Sequence, residues 1–125
     1  MRLLLDTHVF LWWLEGSERL APPTETLLTD PTTTVVVSAA SIWEIEIKRS
    51  LGRLTAPDDV LEQVPANSFD LLPISGGHAV AAARLPRHHD DPFDRMLVAQ
   101  AIAEGLTLVT RDARMADYQV GLLSA

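Results

Sequence analysis

A chain of 125 residues, 47 % hydrophobic and 22 % charged, has the length and composition of one globular domain with a core of its own. It has no cysteine, which excludes disulfides, thiolate zinc sites and cysteine nucleophiles. A formal charge of −7 excludes broad electrostatic attraction to nucleic acid, but Arg84, Arg87, Arg95, Arg111 and Arg114 gather in the last third near His88 and His89, where phosphates could still be held.

In chain order, "RLLL" (2–5) predicts a short buried strand, and "THVFLWWLEG" a helix that stops at Gly16. "APPTETLLTD" (21–30) reads as a helix opened by prolines, which are tolerated in a first turn. "TTVVV" (33–37) is β-branched throughout, and Ser38 is an N-cap for the helix "AASIWEIEIKRSLGRL", expected to end near Gly52. A short helix is expected within 56–68, starting around Asp58, then a weaker strand at 69–74 and a small-residue helix at 75–85. Residues 86–91 form a loop, and "PFDRMLVAQAIAEG" predicts a helix from Pro92 to about Glu104 with Gly105 as its stop. "LTLVT" (106–110) is the next strand, followed by a turn of helix from Asp112 and a last strand near "YQVGLL".

Strands alternating with helices predict an α/β sandwich with a largely parallel sheet, helices on both faces, and no repeat or linker dividing residues 1–125. The opening "MRLLLD" is too short for a signal-peptide core, and the run "VFLWWL" falls far short of the ~20 residues of a membrane span. A cytoplasmic protein without membrane contact is the expectation.

Ligand chemistry in such folds gathers beyond the carboxyl ends of the strands. Asp6 directly follows "LLL", and Asp112 lies just after "LTLV". Glu44 falls in the second turn of the helix after "VVV", and Asp94 in the first turn of the helix after the loop. Each has a structural alternative. Asp6 and Asp112 could be helix caps, and Asp94 the third-position acid of a capping box begun by Asp91. Glu44, amid Ile42, Trp43, Ile45 and Ile47, could pair with Lys48 at i, i+4. Carboxylates gathered in one pocket cannot all ionise without a cation, and an oxygen-only donor set suits Mg²⁺, with Mn²⁺ as the alternative. Such a site suits phosphoryl chemistry, which predicts a metal-dependent phosphodiesterase or nuclease.

The stretches "LLLDTHVFLWWL", "SAASIWEIEIKRSLGRL", "HHDDPFDRMLVAQA" and "LTLVTRD" follow one another in an order and spacing that resembles the PIN-domain ribonucleases, and more narrowly the VapC-like toxins of type II toxin–antitoxin pairs. The likeness runs from Arg2 to about Asp112. It implies a PIN-like three-layer α/β/α sandwich and endonucleolytic cleavage of RNA, transfer RNA among the candidates, by a metal-activated water. Carried over residue by residue, it implies Asp6 and Asp94 as primary Mg²⁺ ligands, Asp112 as a further ligand, and Glu44 as a ligand or water-positioning group. Thr110 would hydrogen-bond the site from behind, and Arg95 and His88 are candidates for substrate or carboxylate contact. The implied partners are a small VapB-like antitoxin and a second copy of the chain, giving a homodimer and, with antitoxin, a heterotetramer or larger. The sequence departs from the pattern at Asp90, where relatives often carry a basic residue.

Other classes fit less well. A receiver-type signalling domain needs an acidic pair after its first strand, and a haloacid-dehalogenase-like phosphatase needs a second aspartate where His8 stands. A catalytically inactive PIN-fold module binding RNA or protein, and a nuclease acting on DNA, remain the alternatives. His78, His88 and His89 are further acid–base or phosphate candidates, each with an ordinary packing role as the simpler reading. Trp12, Trp13 and Trp43 are expected to pack rather than to stack bases.

Overall fold

The computed structural model describes Met1–Ala125. Five strands form one sheet: β1 (Arg2–Leu5), β2 (Thr34–Ser38), β3 (Asp70–Leu72), β4 (Thr107–Thr110) and β5 (Leu122–Ser124). Their order is β3-β2-β1-β4-β5 and all four pairings are parallel. Six α-helices connect them: α1 (Thr7–Glu15), α2 (Pro22–Thr29), α3 (Ala39–Ser50), α4 (Val60–Ala66), α5 (Gly76–Arg84) and α6 (Pro92–Glu104), with a 3₁₀ turn at Ala113–Asp117. This is the expected α/β/α sandwich with its parallel sheet.

The alternation along β1 explains the layers. Leu3 and Leu5 point to one face, where Val35, Val37 and Val109 meet Val9 and Phe10 of α1, Ile45 of α3 and Val60 of α4. Leu4 points to the other, where Val36 and Leu108 meet Leu97, Val98 and Ala101 of α6. The three central strands β2, β1 and β4 are thus buried on both sides, which is why they read as apolar runs rather than as a polar–apolar alternation, while the edge strands β3 and β5 stay partly exposed.

The helix ends follow local chemistry. Ser38 accepts a hydrogen bond from the Ala40 N–H and opens α3, and Asp91 accepts from the Phe93 and Asp94 N–H groups and opens α6, with Pro92 at its first position. Gly16 and Gly105 close α1 and α6 at φ 63° and φ 65°, the left-handed conformation that glycine adopts without a Cβ penalty. Two expected boundaries shift. Helix α4 begins at Val60, after Asp59, not near Asp58, and β5 begins only at Leu122, the first residue in register with β4 (Leu108↔Leu122), where the Leu108 N–H bonds the Gly121 carbonyl.

Candidate active site

The parallel register sets the site. Leu5 pairs with Val109, so Asp6, the first residue past β1, lies beside Thr110, the last residue of β4. Asp6 donates its N–H to the Val109 carbonyl at 2.9 Å, and its side chain makes no cap bond to α1. Instead Oδ2 accepts the Thr110 hydroxyl at 2.6 Å. The same Thr110 oxygen accepts the Asp112 N–H at 3.0 Å. Thr110 therefore fixes the first and last acids of the pattern with one hydroxyl.

Asp6, Glu44, Asp94 and Asp112 line one cavity of about 280 Å³, together with Asp91. Three cations, Lys48, Arg111 and Arg114, share its wall, so carboxylates outnumber positive groups there. The electrostatic consequences differ by residue. Burial raises the Asp6 carboxyl above its ordinary range, and the nearby Glu44 charge adds to this while the Thr110 hydrogen bond and His8 oppose it. Burial and then the charges of Asp6, Asp91, Glu44 and Asp112 push Asp94 up to about 8. Asp112 moves the other way, to about 2, because Arg114 holds it through both Nε and Nη2, at 3.1 Å and 2.9 Å. Asp112 also caps the 3₁₀ turn through the Arg114 N–H, so its capping role and its place in the pocket coexist.

Glu44 likewise satisfies two readings at once. Its Oε2 accepts from Lys48 Nζ at 2.6 Å, the i, i+4 pair, while Oε1 is buried without any hydrogen-bond partner. Residue Glu44 is only 3 % exposed, so an orphan oxygen there is costly unless a positive ligand meets it. An all-oxygen donor set, one buried lone oxygen and an aspartate driven toward neutrality by burial and then by its acidic neighbours together fit a hard divalent cation.

Of the three candidate histidines, His89 and not His88 is the one that reaches the acids. His89 is 5 % exposed, and its Nε2 sits 3.0 Å from Asp94 Oδ2 and 3.2 Å from Asp112 Oδ2. Its Nδ1 accepts the Asp91 N–H at 3.1 Å, which leaves the ring proton on Nε2, shared by the two acids. Although His89, Asp94 and Asp112 are close enough together to hold an ion, this tautomer makes His89 a donor that orients carboxylates rather than a ligand. The pair "HH" carries no signal that says which ring turns inwards. His88 does not reach the acids; it is exposed and meets the Tyr118 ring edge-on at 5.1 Å.

Arg95 corrects the expectation of a carboxylate or phosphate contact. It is buried and donates to the carbonyls of Ala82, Leu85, Pro86 and His89 at 2.9–3.2 Å, tying the end of α5 to the loop that carries His89. His78 is structural too: it completes a capping box with Ser75 at the start of α5. Trp13 packs against Phe69, whereas Trp12 lines the acidic cavity.

Comparison with known proteins agrees with this architecture. The PIN domain family model matches residues 3–121. Ribonuclease VapC22 of Mycobacterium tuberculosis is 30 % identical over 120 residues, spanning 94 % of this chain and 92 % of that protein. Among solved structures, VapBC2 from Rickettsia felis, bound to a DNA fragment from its promoter, superposes with a TM-score of 0.71 at 15 % identity, covering 98 % of each chain. DNA-bound VapBC from Salmonella typhimurium gives 0.69 at 18 % identity, over 98 % of this chain and 97 % of that one. FitAcB from Neisseria gonorrhoeae gives 0.66 at 24 %, over 98 % and 96 %.

Proposed function

This chain belongs to the PIN domain family, its likeness to Ribonuclease VapC22 lies on the VapC side of that family, and we propose that it is a Mg²⁺-dependent endoribonuclease, the toxin of a toxin–antitoxin pair. The observation that carries the metal reading is the buried, partnerless Oε1 of Glu44, a residue that lines the same pocket as Asp6, Asp94 and Asp112. Asp6 and Asp94 are the primary ligands in this reading, with Asp112 a further one and Glu44 a ligand or water-positioning group. A divalent cation in such a site lowers the pKa of water, orients a phosphate and offsets charge on the leaving oxygen.

The chain's own residues prepare that chemistry. Thr110 holds the Asp6 carboxylate in place, and the His89 N–H holds Asp94 and Asp112 at a common distance. Lys48 fixes one Glu44 oxygen and leaves the other, buried one without a partner. Arg114 instead engages both Asp112 oxygens, Oδ1 through Nε and Oδ2 through Nη2, and so orients that carboxylate at the edge of the acidic cradle. RNA is the substrate of this proposal, transfer RNA the form most in keeping with the family, and the whole chain acts as one domain. A small antitoxin of the VapB type is the proposed partner, in keeping with the toxin–antitoxin complex from Klebsiella pneumoniae and the VapBC toxin–antitoxin structure from Mycobacterium tuberculosis among its structural neighbours, and a second copy of the chain is proposed beside it.

Purified protein incubated with total RNA and Mg²⁺ tests the reading. Defined cleavage ends are expected, lost in EDTA and in Asp6→Asn or Asp94→Asn. EDTA-resistant cleavage, or full activity in either variant, would overturn it. Growth arrest on expression alone, relieved by co-expression with an adjacent antitoxin-like reading frame, tests the toxin role.

A further inference from the structure

Of the three cations on the cavity wall, two are already held by acids. Lys48 is paired with Glu44 at 2.6 Å and Arg114 is forked onto Asp112. Arg111 has no acidic side chain as partner. Its guanidinium carbon lies 4.6 Å over the centre of the Trp12 ring, and its Nη2 donates to the Ala125 carbonyl oxygen at 2.8 Å. Arginine carries five N–H donors in a planar fork, so most of this fork is unused.

The mooring explains why Arg111 does not collapse onto the carboxylates a short way off. Stacking on Trp12 from one side and the bond to the Ala125 carbonyl fix the guanidinium plane at the lip of the cavity. Trp12 is itself held by α1, the helix that starts next to Asp6, and its own ring is half-buried. A fixed cation beside an anionic pocket is what a polyanionic substrate needs there, because the pocket alone repels it. The planar fork also matches the oxygens of a phosphodiester.

On the nuclease reading above, we propose that Arg111, stacked on Trp12, is a phosphate-binding subsite at the lip of the acidic cavity, taking an RNA phosphodiester that flanks the one cleaved. The site binds backbone and not a base edge, so it positions the strand without selecting sequence. Trp12 acts through Arg111 as a positioning residue.

The test is steady-state cleavage together with fluorescence anisotropy of a labelled oligoribonucleotide, both across a salt series, for the wild type, Arg111→Ala, Arg111→Lys and Trp12→Leu. Arg111→Ala is expected to raise KM and the dissociation constant by about tenfold or more, the usual weight of a charge-assisted hydrogen bond, with the loss falling on KM rather than kcat. It should also lower the slope of log affinity against log salt by about one, as for any lost phosphate contact. Arg111→Lys keeps the charge and should retain the slope while losing part of the affinity. Trp12→Leu frees the guanidinium and should weaken binding with the slope retained. A wild type that cleaves RNA, alongside Arg111→Ala with unchanged KM and salt slope, overturns this inference and leaves the nuclease reading standing. A fall in kcat with unchanged KM, accompanied by a lower melting temperature, assigns Arg111 to the fold and also overturns it. A wild type that neither binds nor cleaves RNA overturns both.

Discussion

Replacing Asp94 by asparagine should stabilise the metal-free protein, and the gain should grow with pH. In the fold the Asp94 carboxyl is pushed from 3.8 up to about 8 by burial and by its acidic neighbours. The unfolded chain releases this proton near 3.8, whereas the fold keeps it until about 8. Between those values the folded state holds the extra proton, so stability falls as pH rises through the window and is level above it. About 4 pH units at about 1.4 kcal/mol each set a ceiling of about 6 kcal/mol. The open mouth of the cavity admits solvent, and screening brings the working figure to about 2–3 kcal/mol. Asparagine keeps the shape and still accepts the His89 Nε2–H but cannot ionise. In EDTA at pH 8.5, melting followed by circular dichroism should place Asp94→Asn roughly 10 °C above the wild type, and at pH 5 the two should lie within about 3 °C. Mg²⁺ should then raise the wild type by about 2–3 kcal/mol once in hundredfold excess over its binding constant, and leave the variant nearly unmoved. A less stable Asp94→Asn in EDTA, or a gap that does not change with pH, would refute the reasoning.

His89→Ala should weaken Mg²⁺ binding by about tenfold or more in isothermal titration, because Asp94 and Asp112 lose their shared donor. His89→Gln, which restores an N–H at similar reach, should recover part of that affinity, and an alanine variant that binds like the wild type would remove His89 from the site. Arg95→Ala should cost about 3 kcal/mol in urea denaturation, since it empties a buried guanidinium from several carbonyls. A substrate contact would instead leave stability intact and shift KM.

The sheet and its capping were legible in the sequence because their signals are local. "RLLL", "TTVVV" and "LTLVT" are short apolar runs of the kind a doubly covered parallel strand demands, and Ser38, Asp91, Gly16 and Gly105 mark helix ends by their own chemistry. The convergence of Asp6, Glu44, Asp94 and Asp112 on one cavity followed from the strand-end rule together with the family pattern. What was not legible depended on side-chain direction. Arg95 neighbours Asp94 in sequence, but successive residues of a helix do not face the same way, and its side chain runs under the loop instead. His88 and His89 are adjacent in a loop, where no periodicity decides which points inwards; the Asp91 N–H and the two carboxylates select His89. Glu44 posed a choice between ion pair and ligand that a carboxylate with two oxygens does not have to make. Trp12 was expected to pack, and it does so only in part, because its ring also carries Arg111.

The most direct test of the metal centre is anomalous diffraction from crystals of the protein grown or soaked with Mn²⁺. A peak is expected in the cavity in contact with Asp6 and Asp94, with Glu44 Oε1 turned toward it. No peak there at saturating Mn²⁺, or peaks only at surface carboxylates elsewhere, would contradict the account.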